Sequence, residues 1–410
     1  MLDELLKLSR HFLKIKNSSY RRYFIKTNPF KHRLSLVLGQ RGIGKTTTLV
    51  QHLLDQVLQD IFDPSILYVQ ADHFQVGSAS LYEIAEQFHF MGGKFLALDE
   101  IHKYPNWSQE LKSLYDTFPD LTILASGSSA LQMHQGSHDL ARRAIKYQMF
   151  GLSFREYLEL KFNVFLPVCT LADLLKNHVR RASSFIETIE AIGQKILPLF
   201  SHYLKCGYYP YFFELPNEEF YFLTLEQNLH TTIESDLVAI YPHLTGTSIK
   251  KIKQLLVFIA QAVPFTPKWN DIKNILDIGD IRTLKTYFQY LEDAYLIRSI
   301  GKENHKIAHL NSIEKVYLDN PNQMYALAIG ECNKGTLREL FFLDMLSLNH
   351  QVALALKGDF LVDERYLFEV GGRNKNFKQI RDEQDAFLAC DDIENGSGSK
   401  IPLWLFGFMY

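Results

Sequence analysis

Residues Gly39, Gln40, Arg41, Gly42, Ile43, Gly44, Lys45 and Thr46 spell a complete GxxxxGK[ST] run. This spacing suits one task, holding a polyphosphate. Glycines let successive backbone N–H groups curl around an anion, and a helix opening through Lys45, Thr46 and Thr47 turns its positive end toward it. Lys45 is then placed to neutralise β- and γ-phosphates, and the Thr46 hydroxyl to ligate Mg²⁺. The candidate nucleotide-binding set is Gly39 through Thr47.

Further on, Phe95-Leu-Ala-Leu98 reads as an apolar strand ending in Asp99-Glu100. A carboxylate at a strand tip is placed to hold Mg²⁺, the role expected of Asp99. Glu100 beside it is placed to polarise an attacking water. A later run, Leu121–Ser126, ends in Ser126-Gly-Ser-Ser129, where Ser126, with Ser128 close behind, is the expected γ-phosphate sensor. Arg142 and Arg143 precede a fifth strand, and Arg143 is the candidate for a γ-phosphate contact in cis or in a neighbouring subunit. The sequence contains no NKxD guanine-reading motif, so ATP is the expected nucleotide.

The elements that must position these groups follow an α/β pattern. Apolar runs at 34–38, 65–70, 94–99 and 121–126, with a weaker one at 145–150, alternate with helical periods. This is the signature of a parallel sheet. Residues 1–33 read as a helix and basic connector, 34–160 as the nucleotide-binding core, and 161–250 as a helical region. Residues 251–305 read as three helices and a strand, and 306–410 as a helix followed by short strands. The closing run IPLWLFGFMY reads as a buried final strand, being far shorter than the ~20 residues that span a bilayer. No membrane segment is expected, and a cytoplasmic location is. With 47% hydrophobic and 22% charged residues the chain is an ordinary globular one. A net charge of −2 gives no global attraction to nucleic acid. The four cysteines form no CxxC pair, so neither a zinc site nor a disulfide framework is suggested.

The P-loop, LALDEIHKYPNW, ILASGSSA, ARRAIKYQMFGLSFREYL and the PLWLFGFMY ending together resemble the prokaryotic AAA-type ATPases that carry a C-terminal domain of unknown function. Gly207-Tyr208-Tyr209-Pro210, Ser235-Asp236-Leu237 and Val263-Pro264-Phe265 match further landmarks of that family. The resemblance implies an AAA+ (P-loop, ASCE) core, a winged-helix segment over 251–305, and a small α/β module like the PD-(D/E)xK nucleases over 306–410. In that module Glu339, Asp359 and Glu369 would gather a cation, with Gln379 also fitting the pattern. The lysine expected two residues after Glu369 is Gly371, and Lys375 or Arg373 would have to substitute from the next turn. The arginine landmark departs too, since Arg142 stands where the family has glycine.

Three functions fit these residues: an ATP-driven switch or regulator, an ATP-dependent nuclease, and a nucleotide-binding scaffold with negligible turnover. Glu100 speaks against the scaffold and Gly371 against the nuclease. The cofactors expected are ATP and Mg²⁺. The partners expected are DNA through residues 251–305, with Arg282, Lys285, Lys302 and Lys306 toward phosphates, or a protein partner or self-association.

Overall fold

The computed structural model describes residues 2–76, 79–128, 140–301, 313–328 and 330–410. Lys302, Lys306 and Ser129 lie outside the described residues. Five strands, β1 (Leu34–Leu38), β2 (Ile66–Gln70), β3 (Phe95–Asp99), β4 (Thr122–Gly127) and β5 (Ile145–Gln148), form a parallel sheet in the order β2-β3-β4-β1-β5. All of β1 is buried, as a run of Leu and Val covered on both faces requires. β4 separates the P-loop strand β1 from the acidic strand β3.

The N-terminal helix α1 (Leu2–Lys16) belongs to this unit. It packs on β2, and Ser9 Oγ accepts the Tyr68 N–H at 2.9 Å while the Phe12 and Tyr68 rings stand 5.3 Å apart. Helices α2 (Tyr23–Thr27), α3 (Lys45–Gln56), α4 (Leu81–Phe90) and α5 (Trp107–Thr117) complete its first part. The compact unit comprises residues 1–150 together with 231–245 and 293–295, so two stretches from much later in the chain complete it.

The second unit holds residues 151–230, 246–292 and 296–410. Its helix Phe154–Phe162 opens on a capping box, in which Ser153 and Glu156 satisfy each other's backbone N–H groups. Ser153 Oγ and Arg155 Nε both donate to the Tyr410 carbonyl at 2.8 Å, so LSFREYL anchors the chain's last residue. Helices Gly246–Ala262, Trp269–Ile275 and Ile281–Asp293 are followed by the antiparallel pair β6 (Ile297–Ile300) and β7 (Lys315–Leu318).

A mixed sheet then runs β12-β11-β10-β9-β8, from β8 (Val352–Leu354), β9 (Phe360–Val362), β10 (Tyr366–Gly371), β11 (Ala386–Cys390) and β12 (Lys400–Pro402). β9 pairs antiparallel with both β8 and β10, and β10, β11 and β12 run parallel. Helix Lys334–Ser347 packs against β10, with Phe342 meeting Phe360, Phe368 and Phe406. The final apolar run is a strand only through Pro402. Leu403–Phe408 coils into 3₁₀ turns, all buried, because a run that is apolar throughout has no period-2 pattern to keep it extended. Among the described residues, no helix is long and apolar enough to cross a membrane.

Candidate functional site

The P-loop turns between β1 and α3 on glycines in the left-handed region, Gly42 at φ 82° and Gly44 at φ 99°. Gly39 is needed for space, since a Cβ there would stand 2.6 Å from the Met149 carbonyl oxygen. Gly44 caps α3, so the helix's free N–H groups face the loop. Lys45 is buried, and its ammonium donates to the carbonyls of Gly39 (2.9 Å) and Gln40 (2.8 Å). Burial pulls its pKa down, against the pull of Glu100, Asp99 and Asp236 in the other direction. Gln40 donates to the carbonyl of Tyr295, which belongs to the same unit.

Asp99, at the tip of β3, is 2% exposed and fully hydrogen-bonded. Its Oδ2 accepts from Thr46 Oγ1 at 2.6 Å and from Tyr68 OH at 2.7 Å. Its Oδ1 accepts from the Ser126 hydroxyl and, at 3.1 Å, from the Glu100 N–H. A hydroxyl and a carboxylate this close are hard oxygen donors suited to Mg²⁺. The next residue, Glu100, takes φ 55° and ψ 37°, a left-handed conformation uncommon for a residue with a side chain. That turn sets its carboxylate among cations, with Lys103 at 3.3 Å and Arg41 at 3.8 Å. Burial would push Glu100 up, but Lys45, His102, Lys103 and Arg41 together hold it below the usual carboxylate range.

Several members of this site have no site role in the sequence reading, Asp236 entering there only as part of a family landmark. Tyr68, the middle residue of β2, supports Asp99. Lys103 pairs with Asp72 at 2.7 Å. Asp236 accepts from Arg41 at 2.9 Å and stands 3.4 Å from His102 Nε2. Glu100, His102 and Asp236 bring donor atoms to within 4.8 Å of one another, but Arg41 and Lys103 already stand on the same carboxylates.

Ser126 sits under Asp99 as a support for the carboxylate, and its Oγ also accepts the Glu100 N–H at 3.2 Å. Arg143 calls for a correction to the contact in cis. It makes a two-pronged pair with Asp116, Nε to Oδ1 and a terminal nitrogen to Oδ2, both at 2.8 Å. Arg143 precedes β5, whose Ile145 lies opposite Ser35 at the start of β1, whereas the P-loop leaves the far end of β1. A strand's length therefore separates it from the phosphate cradle.

A second polar cluster lies in the other unit. Glu339, on helix Lys334–Ser347, accepts from Lys315 at 2.7 Å and from Tyr317 OH at 2.5 Å. Asp359 accepts the Val370 N–H at 2.7 Å, and Glu369 on β10 is 1% exposed. Burial lifts Asp359 to about 6; the Val370 N–H and Lys375 oppose the rise, and the charges of Glu339 and Glu369 add to it. Lys375 pairs with Glu369, and the Gln379 amide, turned with its nitrogen inward, donates to the same carboxylate at 2.9 Å. The chain turns back after β10, with Lys375 N–H donating to the Gly372 carbonyl at 2.9 Å. The turn brings Lys375 to the carboxylates, the condition set by the absence of a lysine at 371. At Arg373 the backbone carbonyl accepts from Lys400 at 2.6 Å.

Comparison with known proteins agrees with this geometry in its coarser features. Residues 31–158 match the model of an AAA domain, and residues 197–327 match a domain of unknown function, DUF8612. Residues 31–158 are thus similar to AAA domains, with a P-loop and parallel sheet. The chain is 25% identical over 399 residues to an uncharacterized protein of Methanocaldococcus jannaschii, covering 90% of this chain and 82% of that one. Solved structures that align include PCH-2 of C. elegans (14% identity, 70% of this chain and 68% of that one, TM-score 0.24). AMPPCP-bound DnaA from Aquifex aeolicus also aligns (16%, 71% and 86%, TM-score 0.25).

Proposed function

We propose that the first unit binds ATP with Mg²⁺ and hydrolyses it, and that the protein is an ATP-driven switch acting on DNA or a protein partner. The observation that carries this reading is the junction of Thr46, Asp99, Ser126 and Glu100, which joins the P-loop to the acidic strand tip. P-loop N–H groups would bind the phosphate oxygens, and Lys45 would leave the Gly39 and Gln40 carbonyls to neutralise β- and γ-charge. Thr46 and Asp99 would hold Mg²⁺, which when bound offsets charge on the phosphate oxygens. Glu100 would orient the water and accept its proton. The three helices and the antiparallel β6–β7 pair support a winged-helix reading, and that segment is the proposed partner contact. Steady-state ATPase assays with and without DNA test the reading: turnover abolished in Glu100→Gln supports it, and stimulation by DNA identifies DNA as the partner.

A second reading concerns the other unit, where Lys375 reaches Glu369 across Gly371. This favours a nuclease-like centre whose lysine comes from the turn after β10. Incubation with plasmid and single-stranded DNA, Mn²⁺ and ATP tests it. Cleavage lost in both Glu369→Ala and Lys375→Ala would establish it, and intact DNA throughout would reduce the module to a binding role.

A further inference from the structure

Asp236 comes from outside the matched AAA segment, within the residues matched by the domain of unknown function. The chain reaches it through one turn of π-helix, Thr232–Asp236, an irregularity that recurs at functional sites. The side chain is buried at 3% exposure, where an uncompensated carboxylate is costly. Two partners compensate it. Oδ1 accepts from the Arg41 guanidinium at 2.9 Å and faces His102 Nε2 at 3.4 Å. His102 Nδ1 accepts the Ser128 N–H at 3.3 Å, which assigns the ring proton to Nε2, the nitrogen that faces Asp236 without a hydrogen bond. One carboxylate therefore pairs with the P-loop through Arg41 and faces the turn after Asp99 through His102.

Arg41 is the consequential partner. Its guanidinium lies between Asp236 and, at 3.8 Å, Glu100 Oε2. A planar cation carried by the P-loop beside the proposed water-activating carboxylate is suited to a terminal phosphoryl group, whose charge spreads over three oxygens during transfer. Left without Asp236, a side chain with this much rotamer freedom would keep only the weaker pull of the more distant Glu100 and Asp72. We propose that Asp236 is a positioning residue, holding Arg41 in place to recognise the γ-phosphate in cis, so that discrimination between ATP and ADP passes through a residue of the later segment. This rests on the reading of the first unit as an ATPase.

The test uses the full-length chain and two readouts: turnover, and the affinity ratio of AMPPCP to ADP by calorimetry. Asp236→Asn is expected to lower kcat by about tenfold, within the coupling of contacting charges, with KM for ATP much less changed. It should also narrow the AMPPCP-to-ADP ratio. Arg41→Gln should do both, and the double variant should be no worse than Arg41→Gln alone, because Asp236 acts through it. Additive losses in the double variant would overturn the proposal, as would an unchanged ratio in the single variants. If Asp236→Asn does not fold, Arg41→Gln carries the test through the ratio, since Arg41 must matter for AMPPCP and not ADP. A wild type that binds both nucleotides without turnover would sink the hydrolysis reading alone, with the ratio still deciding the role of Asp236. A wild type that binds neither overturns both.

Discussion

The aliphatic stem of Lys375 lies over Gly371: a Cβ built on the glycine would stand 2.7 Å from Lys375 Cδ and 2.8 Å from its Cγ. The glycine is what makes room for a lysine arriving from the next turn. Gly371→Ala should therefore destabilise the second unit by about 1–3 kcal/mol, the usual range for overpacking. Chemical denaturation measures this, and wild-type stability in the variant would show that the lysine simply moves aside.

Lys375→Ala leaves the nearly buried Glu369 with the Gln379 amide and without its cation. The expected loss is about 1.5–3 kcal/mol, typical of a hydrogen bond to a charged group. Glu369→Gln in the same chain should restore much of it by removing the unpaired charge. A double variant as unstable as the sum of the two would argue against direct pairing.

Lys45→Ala should weaken ATP binding by about 10- to 100-fold, from the loss of charge-assisted bonds to the phosphates. Calorimetry decides it, and unchanged affinity would place the nucleotide elsewhere. Glu100→Gln should separate binding from chemistry, keeping ATP affinity while dropping kcat by roughly 10²-fold or more. Turnover equal to wild type would remove Glu100 from the reaction.

Asp359 supplies a pH signature. Its carboxyl titrates near 6 in the fold, against an ordinary value of 3.8, so the folded chain binds more protons in that interval. Stability from this group therefore falls as pH rises from about 4 through about 6. In Asp359→Asn that part of the slope should vanish. Denaturation midpoints across that interval measure it, and an identical slope in the variant would contradict the assignment.

The parts of the site legible in the sequence are those where chemistry is contiguous along the chain. Gly39 through Thr47 carry their own turn and helix start, and Asp99-Glu100 closes an apolar run that could only be a buried strand. The role of Asp236 was not legible, because its partners Arg41 and His102 lie far away in the chain and meet it only after folding. Tyr68 was hidden for a different reason: within a strand of Ile, Leu and Val it reads as one more apolar residue, and only the sheet order sets its hydroxyl against Asp99. For Arg143 the reading in cis misled through direction, since a residue before a parallel strand stands at the opposite edge from a loop that follows one. Lys375 depended on a turn that spacing alone does not determine.

The later stretches 231–245 and 293–295 have a consequence during synthesis. The sheet and P-loop are all encoded by residue 150, yet the carboxylate facing Arg41 and the Tyr295 carbonyl that accepts from Gln40 emerge from the ribosome much later. Until then the nascent P-loop carries a guanidinium without Asp236 and an amide without its acceptor. A chain released early, after residue 160 for example, would retain the P-loop and the Asp99-Glu100 strand tip and lack Asp236 and the Tyr295 carbonyl that meet Arg41 and Gln40.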